Sequence, residues 1–473
     1  MSISPIGYLL IPLGILLFLS RRRNLFWATV ISMMFWNSSV LYIHAITFYL
    51  RSPMFFMTLL IIKKTLDSFI SGRLGISKNR ANFFLACFLV LVGFSLVIPF
   101  LINGKVDTYP IGTNQAFNPI PPKKPLYFGL INITQFLYLV FAVLSFFTLS
   151  EEMFSKKRIE KVLDISVLLG VVVAISGFVY QILTLCNCSH TVLNFYSFLG
   201  APYLNLEGKL YFGKIPRMYS IMGEPSLTTL FLLFTLGLAA PSPNFKKYAF
   251  VPKRPSIISL IIIALGLLLT TSTTAYLGII IFVTSFSFVL SLKYKPATCF
   301  RIISNICILG IALVIVTFVV FRIFFDYSMY NFFMDTQIAK VMLKHGSGAI
   351  RWHYIVENLR IFVQYPILGV GIGGCRSTAT LPALLSNTGV LGTIPFLLFN
   401  WYVFKKTLSQ YLNSKQENAV FLGSLLVAFL TIFILRTFAC SIASLYFLEY
   451  WLLLAMMSKV SLFNHKNAYE YCS

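Results

Sequence analysis

Arg217 and Glu224 stand seven residues apart in KIPRMYSIMGEPSLTTLFLLF, directly ahead of an apolar run. Pro225 suits the first position of a helix, where its missing N–H is not needed and its φ is already helical. Glu224 must then be extended, at the mouth of the span. A carboxylate entering an apolar span is costly and marks a functional position, and within hydrogen-bond reach of a hydroxyl it could take the proton. A salt bridge to Arg217, or attraction to the helix dipole, would also account for it. A second polar group lies in GAIRWHYIVENLRIFVQYPILGVGIGG, residues 348–374. After the breaker Gly346-Ser347-Gly348 a helix can run from about Ala349 to Gln364, stopped by Pro366. Trp352, Ile355, Val356, Leu359, Phe362 and Val363 share one apolar face. His353, Glu357, Arg360 and Gln364 form a polar stripe on one flank, and Arg351 lies at the other border beside Asn358. Such a helix is too polar to span and should lie along a membrane interface, its apolar face on the bundle or on lipid; a simple surface anchor would share this pattern. The glycines after Pro366 let the backbone pass close to something or take φ > 0.

The elements that must position these residues are written in the composition. Of 473 residues 58% are hydrophobic and 11% charged, and mean hydropathy is +0.83, against roughly 45–50% apolar and 25% charged in a soluble domain. Apolar windows recur from end to end, so residues 1–473 read as a single integral membrane domain. The net charge of +24 does not signal a nucleic-acid partner, because short basic clusters alternate with the apolar spans. They fall at Arg21–Arg23, Lys63/Lys64 with Arg73, Lys78 and Arg80, Lys156–Arg158, Lys246/Lys247 with Lys253 and Arg254, Lys293/Lys295 with Arg301, Lys405/Lys406 and Lys459. The positive-inside rule puts all of these in the cytoplasm. Spans then fall near 5–19, 24–45, 46–62, 81–102, 126–149, 162–183, 225–241, 256–271, 274–292, 302–321, 383–404, 418–436 and 438–457. The expected fold is an all-α transmembrane bundle of about 12–13 spans, with the N-terminus outside, the C-terminus inside and a retained first helix.

Three outer loops are long on this topology, and long loops in a compact architecture are usually functional or disordered. Loop 103–125, rich in Pro, Gly and Asn, reads as a partly ordered flap; 184–224, with Arg217 and Glu224, and 322–382, with the amphipathic helix 349–364, read as structured. Loop 322–382 carries Arg322, Lys340, Lys344, Arg351, Arg360 and Arg376 against Asp326, Asp335 and Glu357, which favours an anionic substrate. His44, His190, His345, His353 and His465 are scattered, which argues against a metal site. Cys87, Cys299, Cys307 and Cys440 read as buried thiols, and a bridge between Cys186 and Cys188 would be strained.

RMYSIMGEPSLTTLFL, LLLTTSTTAYLGIIIF, GAIRWHYIVENLRIFVQYPILGVGIGG and LLSNTGVLGTIPFLLF follow in that order over roughly residues 200–405. The pattern resembles the bacterial O-antigen polymerase and ligase superfamily, multi-spanning glycosyltransferases of lipid-linked sugars. The features are an Arg and Glu-Pro before a central helix, a Thr-x-Ser turn, an Arg followed by P-x-x-G-x-G, and a Gly-x-x-G helix start. The sequence departs from the pattern at Thr273, where Ser-Arg is common. The resemblance implies a glycan on undecaprenyl pyrophosphate as substrate, moved to an acceptor sugar hydroxyl at the periplasmic face of the bacterial inner membrane without a cofactor or required metal. It also implies membrane lipid, a flippase and a chain-length regulator as partners.

The leaving lipid pyrophosphate would need neutralising, and arginine's planar fork suits phosphate oxygens. Arg217 and Arg351 would form the clamp, with Arg360, Arg376 and His353 also on the substrate. Glu224 is the candidate base ahead of His353, although it could instead orient Arg217 and leave the proton to His353. Three readings stay open. They are a polymerase of O-antigen, exopolysaccharide or capsule repeat units, which the Gly-Glu-Pro-Ser at 223–226 favours; a ligase passing glycan to lipid A-core; and a flippase or transporter, which would need charges along a path at the bilayer midplane.

Overall fold

The computed structural model describes residues 2–43, 48–72, 80–111, 122–200, 211–212, 215–239, 257–325, 334 and 347–463. Outside them lie Arg73, Lys78, Lys246, Lys247, Lys253, Arg254, Asp326, Asp335, Lys340, Lys344, His44, His345 and His465, with 112–121 of the expected flap.

Short strands β1 (Ser2–Ile3), β2 (Ser39–Ile43) and β3 (Phe48–Arg51) form a small antiparallel sheet in the order β1-β2-β3. Around it stand helices α1 (Gly7–Leu19), α2 (Arg22–Ser32) and α3 (Ser52–Ile70). Next come α4 (Arg80–Ser95), α5 (Ile98–Ile102), the two-residue ladder β4 (Asp107–Thr108) with β5 (Lys124–Pro125), α6 (Leu130–Glu152), α7 (Lys156–Leu185), α8 (Ser189–Phe198), and β6 (Tyr211–Phe212) with β7 (Ile215–Pro216). The remainder is helical: α9 (Pro225–Leu238), α10 (Ile257–Leu269), α11 (Thr273–Ser291), α12 (Pro296–Phe325), α13 (Ser347–Gln364), α14 (Thr380–Asn413), α15 (Gln416–Ala439) and α16 (Leu448–Ser458).

The all-α bundle expected from the sequence is present. Among the described residues seven helical stretches are long and apolar enough to cross a membrane, and α1, α9, α10 and α16 are shorter apolar helices. Three expected spans are corrected. The span at 24–45 leaves helical geometry after Phe35 and enters β2, and the span at 46–62 begins only at Ser52. Asn37, Ser38 and Ser39 offer the backbone local hydrogen bonds in place of helical ones, and Ser38 caps back onto the Phe35 carbonyl at 2.7 Å. Pro53 then starts α3, the position where its fixed φ costs nothing. The last span, expected at 438–457, starts at Leu448, because a 3-10 turn occupies Ile442–Tyr446.

The central pillar is α9, in contact with α7, α10, α11 and α15. Every residue from Thr228 to Leu238 is buried, as expected of a helix that is apolar all round. It approaches α15 closely at Gly237, where a Cβ would fall 2.5 Å from Ala428 Cα; such small-residue contacts pack helices that gain nothing from hydrophobic transfer within lipid. At the basic end of the bundle Glu152 accepts from Arg158 Nη2 at 2.6 Å and is ion-paired with Arg22, whose Nε lies 2.7 Å from its other oxygen, and Lys64 meets Glu151 at 2.9 Å. Acidic residues there clasp α2, α3, α6 and α7 together.

Candidate functional site

The turn before α9 is built from its own side chains. Ser220 and Gly223 pair across it, with the Gly223 N–H donating to the Ser220 carbonyl at 2.7 Å. The Ser220 hydroxyl lies 2.7 Å from Thr228 Oγ1, and Tyr196 donates to the Ser220 carbonyl at 2.5 Å. Glu224 follows as the N-cap of α9, extended at φ −58° and ψ 148°, with no side-chain capping bond. Its carboxylate is half-buried and, among the described residues, is in no ion pair; the same holds for Arg217. The salt bridge that could have explained Glu224 is therefore not formed. Both charges act on Tyr219: burial is the main cause pushing its phenol up to about 12, Arg217 opposes the shift and Glu224 adds to it.

One helical turn into α9, Thr229 Oγ1 lies 3.4 Å from Thr270 Oγ1 in the turn between α10 and α11. That turn continues through Ser272, which caps α11, again without a side-chain bond. Four residues beyond Thr270, Thr274 Oγ1 accepts from Arg351 Nη1 at 3.3 Å. Thr229 of α9 and Arg351 of α13 thus both reach the turn at Thr270–Thr274, which lies on a different segment of the sequence from either. The starts of α9 and α11 lie side by side here, and helix N-termini favour anions. The Cys440 thiol lies within electrostatic reach of both Arg351 and Arg436.

α13 starts at Ser347 and ends at Gln364, close to the expected helix. Its exposed face carries Trp352, Val356, Leu359 and Val363, whereas Ile350, Tyr354, Glu357, Asn358 and Ile361 are buried. The apolar side therefore faces away from the protein, as for a helix set against lipid. His353 Nε2 lies 2.7 Å from the Tyr109 hydroxyl, Glu357 takes Lys123 at 2.5 Å, and Asn358 donates to the Arg376 carbonyl at 2.8 Å. Arg376 lies 5.6 Å from the Tyr354 ring centre, and its N–H donates to the Tyr109 carbonyl at 2.9 Å. Arg360 is 65% exposed, with only a loose 3.9 Å contact to Glu357. The expected substrate set is thus divided. Arg351 joins the threonine turn near α9, His353 and Arg376 join the Tyr109 strap, and Arg360 stands on the exposed flank.

The glycines after Pro366 approach protein. Gly371 has φ +93°, and a Cβ there would meet the Pro99 ring at 2.4 Å; Gly389, at φ +60° inside α14, would meet the Ile367 carbonyl at 2.2 Å. The descending loop is tied by Asn132 to the Ile372 carbonyl at 2.7 Å, by Thr108 to the Gly374 carbonyl at 2.8 Å and by Asn387 to both backbone groups of Cys375 at 3.0 and 3.1 Å. Its P-x-x-G-x-G stretch seats α13 on the bundle.

Sequence reasoning passed over Arg436 and Glu449, which are 2% and 4% exposed and pair at 2.8 Å. Arg436 also donates to the Ser444 carbonyl, so it fixes the turn whose Cys440 carbonyl accepts from Thr380 at 2.9 Å. The signal was available: an ionisable residue inside an apolar helix is a functional or positioning candidate by default. Among the described residues no three His, Cys, Asp or Glu side chains gather as metal ligands would.

The family model described as O-antigen ligase matches residues 258–380, a stretch from α10 through the Thr270–Thr274 turn and α13 to the start of α14. No curated protein matches the chain. The matched stretch contains Arg351 and Thr274, whereas Arg217 and Glu224 precede it. Seven helices among the described residues are able to cross a membrane, and the match, laid over the arginine-bearing helix and its threonine turn, makes residues 258–380 similar to the O-antigen ligase family and supports the resemblance to the O-antigen polymerase and ligase superfamily.

Proposed function

We propose that the protein polymerises lipid-linked oligosaccharide repeat units at the periplasmic face of the inner membrane, with undecaprenyl pyrophosphate as the leaving group. The observation that supports this reading is that Thr229 of α9 meets Thr270 while Arg351 donates to Thr274 four residues on, which brings the arginine-bearing helix to the turn beside the helix that Glu224 precedes, with the N-termini of α9 and α11 at the same end of the bundle. An acceptor sugar hydroxyl attacks the anomeric carbon of the growing chain. The new C–O bond forms as the bond to the pyrophosphate oxygen breaks, and the lipid pyrophosphate leaves with the electron pair. Arg351 and Arg217 neutralise its charge as it develops, and Glu224 takes the hydroxyl proton. His353 is the weaker base: two residues along a helix turn through about 200°, and while Arg351 reaches Thr274, His353 reaches Tyr109.

A ligase that passes finished glycan to another lipid is the second reading, favoured by the family model's description. The test is product length from purified protein supplied with a lipid-linked repeat unit. A ladder made by wild type and lost in Arg351→Ala and Glu224→Gln supports the polymerase. A single transfer to an added lipid acceptor means a ligase, and substrate binding without chemistry sinks both.

A further inference from the structure

The N-terminal unit, to which neither reading gives a role, reaches the mouth of α9. Trp36 and Asn37 follow α2 and its 3-10 turn at 4% and 5% exposure. Asn37 packs on Gly223, whose φ is +93°; a Cβ there would lie 2.4 Å from the Asn37 amide nitrogen, so the residue before Glu224 has to be glycine. Trp36 meets Phe447 edge-on with ring centres 4.4 Å apart. Arg51 lies over the Trp36 ring at 5.0 Å, and its Nη1 donates to the Trp36 carbonyl at 3.1 Å. The guanidinium is thereby fixed to the residue next to the Asn37–Gly223 contact.

Packing alone does not explain this arrangement. Arg51 is the N-cap residue of α3, with no side-chain capping bond, at the positive end of the helix dipole where a cation is disfavoured. Among the described residues it is in no ion pair, and one of its five N–H donors is used. Beside it, Trp36 Nε1 and Asn37 Oδ1 are buried without a hydrogen-bond partner, although buried polar groups are normally satisfied. A fork cation, a buried donor, a buried acceptor and a helix N-terminus match a phosphate ester that also carries hydroxyl groups.

We propose that Arg51, Trp36 and Asn37 form a subsite for the sugar–pyrophosphate junction of the lipid-linked substrate, with Arg51 as a third arginine on its phosphate. Trp36 Nε1 donates to the same group, and the Asn37 carbonyl accepts from a hydroxyl of the adjoining sugar. The identity of the ligand rests on the glycan-transfer reading above.

The test measures binding of undecaprenyl pyrophosphate and of phosphatidylglycerol to detergent-purified wild type, Arg51→Gln and Arg51→Lys, with thermal unfolding followed in parallel. Loss of a charged hydrogen-bonding partner should weaken the pyrophosphate lipid roughly ten- to a hundredfold in Arg51→Gln. Arg51→Lys, which keeps the charge but not the fork, should fall between; if Arg51→Gln does not fold, this variant carries the test. Phosphatidylglycerol should be affected by less than about twofold. Unchanged pyrophosphate affinity, or an equal loss for phosphatidylglycerol, which would mean a lipid-headgroup anchor, overturns the subsite. Turnover on the same preparations separates the two proposals. Arg51-dependent pyrophosphate binding by a wild type that transfers no glycan would sink the transferase and keep the subsite, whereas normal transfer with Arg51-independent binding does the reverse.

Discussion

Arg351 donates one bond to Thr274 and stands in no ion pair among the described residues, so most of its fork is open to a ligand. A bidentate grip needs that planar geometry, and an ammonium supplies only a point charge. Arg351→Lys should therefore fall short of wild type in kcat/KM by roughly a hundredfold, and Arg351→Ala by a hundred- to a thousandfold, the usual cost of a transition-state donor; steady-state kinetics on the lipid-linked donor would measure both. Cys375 makes a different prediction. Burial pushes its thiol from an ordinary 9.0 up to about 12, so the fold favours the protonated form. That contribution is whole below pH 9 and is lost as pH rises through about 12. At pH 8 a maleimide should modify the exposed Cys186 and Cys188 and leave Cys375 untouched until the protein unfolds. The melting midpoint of wild type should fall between pH 9 and 12, and less so in Cys375→Ala. Labelling of native Cys375 at pH 8 would contradict the burial.

Helices α14, α15 and α16 meet around the Thr380–Cys440–Ser444 turn, braced by the Arg436–Glu449 pair. Taking one partner away leaves a buried charge uncompensated, at a cost of about 3–5 kcal/mol, while replacing both by apolar groups of similar volume is often close to neutral. Arg436→Met and Glu449→Met should each lower the unfolding midpoint strongly, and the double variant should recover most of the loss. A double variant as unstable as the sum of the singles would show that the two charges act independently. If the brace also positions the turn beside Arg351, the recovered double variant should keep its stability and yet turn over more slowly at saturating substrate. The Gly371 and Gly389 contacts belong to the same scale. Positive φ at Gly369, Gly371 and Gly373 and the tight approach of Gly374 to the Gly371 and Val370 carbonyls explain why four glycines follow Pro366, which from the sequence could as well have served a ligand as the neighbouring backbone.

Across the whole molecule, the Glu224 end and the basic end are opposite in chemistry. Arg22, Arg158 and Lys64 meet Glu151 and Glu152 at one, while Arg51, Arg217 and Arg351 stand in no ion pair among the described residues at the other. If the basic end is cytoplasmic, as the charge bias predicts, Cys186 and Cys188 between α7 and α8 should react with a membrane-impermeant maleimide on cells whose outer membrane has been permeabilised. A cysteine placed at Lys157 should react only after the inner membrane is opened. The reverse pattern would put the carboxylate and its arginines on the wrong side for an exported glycan.

What the sequence determined by itself was whatever depends on local composition and period. Long apolar runs set the bundle and most of its spans, Pro225 set the extended Glu224 at the start of α9, and the breakers at 346–348 and 366 bounded α13. It misjudged residues 36–43 and 48–51, because an apolar run of aromatic and β-branched residues suits a strand as well as a helix and only the pairing of β2 with β3 decides. The division of Arg351 from His353, the outward turn of α13's apolar face, the pairing of Arg436 with Glu449 and the approach of Asn37 to Gly223 were decided by the tertiary structure. Each depends on which helix lies beside which, and that is fixed by long-range packing between faces that are nearly all apolar, where the sequence pattern distinguishes one neighbour from another only weakly.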